Sequence, residues 1–158
     1  MEYLHCVVKE TLRLYALGPL LVVHESTEAC IVEGFDHDYL IPAKTRLIVN
    51  AWAIRRDPRV WIQPLEFKPK RFMDKIFDII KDPELSMILF GVGRGGFLGA
   101  SMGISIVDVA LRYLFHYYNW RSEDEIDMNE YFGATILRKE HLFAIPTWRL
   151  SLNALSSL

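Results

Sequence analysis

Gly91, Gly93 and Gly96 in the stretch FGVGRGGFLG, residues 90–99, spell G-x-G-x-x-G. That spacing lets backbone N–H groups close on a dinucleotide pyrophosphate. It does so when a strand leads in, a helix leads out, a βαβ unit surrounds it and an acidic residue follows about 20 positions on. Residues 88–90 and the apolar stretch after Gly99 meet the first two conditions. The others fail. An acidic loop and a hairpin pattern follow the helix where a parallel strand is needed, and about 20 residues on the chain reads HYYNWR, with no carboxylate. The glycines read better as positions where backbone turns tightly or approaches a flat ligand. Gly95 and Gly96 add freedom that a preorganised loop does not want.

A second group of chemically able side chains is Glu10 and Arg13 in KETLRL. Three apart on a helix they share a face, and exposed they would be worth only a few tenths of a kcal/mol. PLEFKPKRF at 64–72 adds Arg71 in a turn fixed by prolines and aromatics. One carboxylate can accept from two guanidinium forks, so the three could lock this turn onto the helix, a structural rather than a catalytic role. Asp108 and Arg112, four apart, read as another structural pair, and the acidic run 123–127 reads as a solvated loop. Histidines 5, 24, 37, 116 and 141 lack spaced partners, and Cys6 and Cys30 read as small apolar residues. No catalytic set and no metal site stands out.

The elements that must position these groups follow from pattern. Leu4, Val7, Val8, Leu12 and Tyr15 predict a helix over 2–16, stopped by Gly18-Pro19. Strand character follows at 20–23 and 29–32, then at 39–41 and 45–54. Residues 55–72 form an irregular meander pinned by Pro58, Pro64, Pro69, Trp61 and Phe67. IFDII at 76–80 fits one helical turn or a short strand equally well. A helix is predicted over 100–118, apolar nearly all round and therefore expecting cover on most sides. An acidic loop at 119–130 and a closing hairpin of 134–137 with 141–145 end the pattern. The fold class is α+β, with 1–150 as one domain and 151–158 as a frayed tail.

The chain has 158 residues, 51% of them apolar and 13% aromatic, enough for one real core. A net charge of −2 provides no basic face for nucleic acid. Two lone cysteines fit a reducing compartment. The start MEYLHCVVKE is not a signal peptide, and the longest apolar run, 102–118, is broken by Asp108 and Arg112 and too short to span a bilayer.

Several motifs in order resemble the cytochrome P-450 superfamily over about residues 2–150. They are E-T-L-R at 10–13, NAWAIRRDPRVW at 50–61, PLEFKPKRF at 64–72, the glycine loop, and IDMNE…ATILRKEHLFAIP. RLYALGPL and IPAKTRLIVNAWAI are most similar to plant microsomal members. The resemblance implies the C-terminal portion of that fold: E-x-x-R helix, small mixed sheet, meander, haem loop, long buried helix and terminal hairpin. Glu10, Arg13 and Arg71 become its structural triad, with Lys70 where the family has Glu. Phe90, Gly93 and Gly99 match the loop pattern F-x-x-G-x-R-x-C-x-G. Gly95 replaces its arginine, Phe97 its cysteine, and Leu98 the usual following proline. His24 falls near a haem-contacting arginine of plant members. The family cysteine is the axial ligand of haem iron and favours O–O cleavage, whereas a phenyl ring has no lone pair for iron.

What the resemblance implies functionally is haem-dependent monooxygenation of small organic substrates, with electrons from NADPH through a reductase, on the endoplasmic reticulum membrane. The membrane anchor, most of the helical body and the oxygen-activating helix are expected to be missing here. The expectation for this chain is a degenerate, catalytically inactive fragment. A working haem enzyme seen incompletely and a non-catalytic interaction module are the alternatives.

Overall fold

The computed structural model describes residues 2–34, 36–73, 77–91, 93, 96–133 and 135–149. Helix α1, Glu2–Leu14, turns Cys6, Val8, Glu10, Arg13 and Leu14 inward. Tyr15 lies past its end and is exposed. The meander ends in a 3-10 turn, Pro69–Phe72, whose first proline has no N–H to leave unpaired. α1 packs on this turn. Between them and residues 77–90 sits the core: Cys6, Trp61, Phe72, Ile79 and Met87, with Phe77 and Phe90 at its margin. Phe72 lies 5.3 Å from Phe77 and 5.8 Å from Trp61, both tilted, the geometry aromatic rings prefer. Lys9 Nζ donates to Phe77 O at 2.9 Å and ties this segment to α1. Within IFDII, 77–80 is neither helix nor strand, and Ile76 lies outside the described residues.

The expected small mixed sheet is instead four separate two-stranded ladders, all antiparallel. β1, His24–Glu25, pairs with β4, Arg46–Leu47, and β2, Cys30–Val32, pairs with β3, Tyr39–Ile41. Each ladder is a separate pair, and its strands are two to four residues long. The turn before β3 requires Gly34, whose missing side chain makes room for the His37 carbonyl and the Tyr39 ring. The expected strand 20–23 moves to 24–25, and the expected strand 45–54 stops at Leu47.

Residues Ala51–Ile54 form a short helix, α2, instead of strand. Asn50 Oδ1 accepts from Ala53 N at 3.0 Å and so starts the turn. Asn50→Ala is expected to lower stability by about 1 kcal/mol, measured by urea titration against the parent.

Helix α3 spans Ala100–Tyr117. Of its side chains only Ala100 and Asp108 are buried, so the cover its composition calls for is not supplied by the described residues. Beyond it the predicted 134–137/141–145 hairpin is replaced by two ladders. β6, Glu130–Tyr131, pairs with β7, Leu137–Arg138, and β5, Tyr118–Arg121, pairs with β8, Ile145–Trp148. β7 closes on β6, and the final strand returns to the end of α3. Ala134 and 150–158, including the tail, lie outside the described residues.

Candidate functional site

A largely buried polar constellation is built around Glu10, whose side chain has no exposure. Arg13 Nε donates to Glu10 Oε2 at 2.8 Å and Arg13 Nη2 to Oε1 at 2.9 Å, a two-point fork. The backbone N–H of Lys68 and Arg71 Nε donate to the same Oε1 at 2.8 and 3.1 Å. Arg13 Nη1 reaches the carbonyls of Arg55 and Pro64, each at 2.8 Å. Arg71 spends its other nitrogens on the carbonyls of Ile62, Gln63 and Glu66. Both guanidinium groups lie over the Trp61 ring, 5.3 and 5.9 Å from its centroid. Burial pushes the Glu10 carboxyl up, but the Arg13 bonds, the Lys68 N–H, the Arg13 charge and the Arg71 bond together hold it below its ordinary value.

The structure thus brings Glu10, Arg13 and Arg71 together, and the Glu10 carboxylate is fully buried among them. Lys70 is exposed on the same turn and takes no part. Sequence reasoning missed the carbonyl acceptors and the Lys68 N–H, because backbone groups carry no residue signature. It also missed Arg55, which sits beside this joint with 1% exposure. Arg55 Nη2 donates to Gly18 O at 3.1 Å, while its Nε and Nη1 are buried without partners among the described residues. Burial, with the Arg56 charge, pushes its guanidinium down to about 10.

The glycine loop has a different character. Gly93 has φ +68°, a left-handed conformation suited to glycine. Its carbonyl accepts from Gly96 N at 3.1 Å, Phe90 O accepts from Phe97 N at 2.9 Å, and Phe97 O accepts from Ala100 N at 3.2 Å. Those bonds lead the chain into α3 at Gly99. The Phe97 ring stacks on Phe90 at 6.0 Å and 24°, is 62% exposed, and stands 3.0 Å from where a side chain on Gly99 would begin. Leu98 is fully exposed. Gly95 lies outside the described residues.

A cavity of about 380 Å³ opens beside this loop, walled by Phe90, Phe97, Leu98, Leu85 and their neighbours. Its described wall holds no cysteine, histidine or methionine, and its one carboxylate, Asp82, is engaged by Ser86 Oγ and Met87 N. Cys6 is in the core on α1, Cys30 is exposed on β2, and His24 is on β1. Met102 is exposed on α3 and is not part of the cavity wall. A haem-thiolate centre needs a sulfur donor at the loop tip. The residue there is a phenyl ring packed on another phenyl ring, so the residues present do not fit that group.

The family model described as cytochrome P450 matches residues 1–145. The chain is 41% identical over 152 residues to cytochrome P450 CYP71D313 of Panax ginseng, covering 93% of this chain and 29% of that protein. It is 40% identical to cytochrome P450 71A1 of Persea americana, covering 96% and 30%. It is also 40% identical to the germacrene A hydroxylase of Barnadesia spinosa, covering 93% and 30%. Among solved structures, a zebra fish cytochrome P450 with abiraterone superposes with TM-score 0.78 at 25% identity, covering 95% of this chain and 34% of that one. The chain therefore spans under a third of the length of these relatives. Matched across most of its residues in sequence and in shape, the chain belongs to the cytochrome P450 family.

Proposed function

We propose that this chain keeps the structural scaffold of the C-terminal portion of a haem monooxygenase without its oxygen chemistry. The observation that carries this reading is the Phe97 side chain at the axial-ligand position, stacked on Phe90. The family reaction inserts one oxygen atom from O₂ into a small organic substrate, using electrons passed from NADPH by a reductase. An iron without a thiolate lacks the electron push that favours O–O cleavage, and nothing in the packing of a benzyl group replaces it. Phe90, Gly93 and Gly99 serve here as loop-shaping residues, and the Glu10–Arg13–Arg71 joint as a fold lock. Among the described residues no helix is long and apolar enough to cross a membrane.

The test is spectroscopic. The chain is expressed, supplied with haem, reduced with dithionite and exposed to carbon monoxide. The expected result is no thiolate-type Soret band, and oxidation of a small organic substrate no faster than with free haem. Phe97→Cys is the companion variant, which returns a sulfur to the loop tip. A thiolate-type band from the unaltered chain, or any protein donor atom completing the iron's coordination, overturns the proposal.

A further inference from the structure

Ser122 opens the stretch SEDEID at 122–127. Of the chain's eight serines it is the one with a carboxylate at each of the next three positions, Glu123, Asp124 and Glu125, and Asp127 adds another. A kinase whose substrate cleft is lined by lysine and arginine selects such a serine, because the acids that follow it pair with that lining and hold the hydroxyl in place.

The structure puts this stretch within reach of such a cleft. It follows the end of β5 at Arg121, and Glu123, Asp124 and Glu125 are exposed. Among the described residues, 122–128 make no backbone-to-backbone hydrogen bond. Drawing them out into an extended form therefore breaks neither a ladder nor a helix. Side chains hold the segment instead. Ser122 is half-buried, and its Oγ lies 2.8 Å from Asp124 O and 3.4 Å from Phe143 O, which share its one proton. Arg121 Nη2 reaches Glu123 Oε1 at 3.1 Å, and Arg138 Nε and Nη2 donate to Asp127 O.

We propose that Ser122 is a phosphorylation site for an acid-directed serine kinase. The terminal phosphoryl group of magnesium-ATP passes to Ser122 Oγ. The bond from phosphorus to the ADP oxygen breaks, the Oγ–P bond forms, and the hydroxyl proton goes to the kinase's base. The product has no proton to donate to Asp124 O or Phe143 O. It adds a charge of about −1.5 to −2 to a cleft that already holds Asp124, Glu125, Asp127 and Glu140. The arginines there are engaged, Arg121 by Glu123 and Arg138 by the Asp127 carbonyl. Like-charge repulsion therefore parts 122–127 from 141–143, the segment that leads into β8.

The test incubates the 158-residue chain with magnesium-ATP and a purified casein-phosphorylating kinase, and locates the product by peptide mass spectrometry. One phosphoryl group on Ser122 is expected, with Ser122→Ala taking none. Glu125→Gln is expected to lower the initial rate about tenfold, whereas Glu140→Gln, an exposed acid outside the run, leaves it unchanged. On phosphorylation, amide exchange over 121–127 and 141–145 is expected to quicken about tenfold. Exchange over 2–14 stays as it was, which shows that the kinase acted on the folded chain. Absence of transfer, transfer to a residue other than Ser122, or a rate indifferent to Glu125→Gln overturns the assignment. Unchanged exchange over 141–145 overturns the parting of the two segments. None of these readouts involves the glycine loop.

Discussion

Glu10→Gln is expected to cost about 3–5 kcal/mol, a large share of the roughly 5–15 kcal/mol that holds a domain together. The substitution keeps the side chain's size and removes its charge. Arg13, with no exposure, is left as a buried cation, and the Lys68 N–H and Arg71 Nε lose their anionic acceptor. Because these bonds join α1 to the meander, the loss spreads to both. Amide exchange over 2–14 and 61–72 measures it, with Lys70→Gln, on the exposed neighbour, as the control expected to change nothing. The same carboxylate sets an acid limit. Its folded-state value is lowered, so its stabilisation is complete above the ordinary glutamate range of about 4.3 and is lost as pH falls below that toward the folded value. Exchange protection that stays flat through this window would contradict the assigned role of Glu10.

Arg55→Met is expected to raise stability by about 2–3 kcal/mol. The native side chain is held charged in a place that provides one carbonyl bond and leaves two nitrogens unpaired. A base whose folded value is pushed down to about 10 subtracts stability at neutral pH, where it must carry its proton against its surroundings. Methionine fills similar volume and asks for no partner. The measurement is urea unfolding of both forms at pH 7. A variant less stable than the parent at pH 7 would show that Arg55 finds partners in solution.

Some of this architecture was legible from residue types. The i,i+3 spacing of Glu10 and Arg13 places both on one face, and the proline-fixed turn limits where Arg71 can reach. β3 was readable because Tyr39–Ile41 is a short apolar run closed by Pro42. Other features depend on partners that a local pattern does not name. Residues 51–54 look strand-like until Asn50 caps them into a helical turn. β8 pairs with β5 across more than twenty intervening residues, whereas a local reading favoured the nearer 134–137. The phenylalanine at 97 needed no structure to be seen, since the loop's resemblance to the family pattern places it where that pattern has cysteine. What it does physically, stacking on Phe90 with most of its ring in solvent, needed coordinates.

Trp61 lies beneath Arg13 and Arg71, and its Nε1 donates to Ser86 O at 3.3 Å. Trp52, Trp120 and Trp148 are exposed, while Trp61 is buried. One buried indole out of the four thus senses the joint. A red shift in tryptophan emission during gentle acidification should therefore come mainly from Trp61, giving the fold lock its own optical reporter with no label attached.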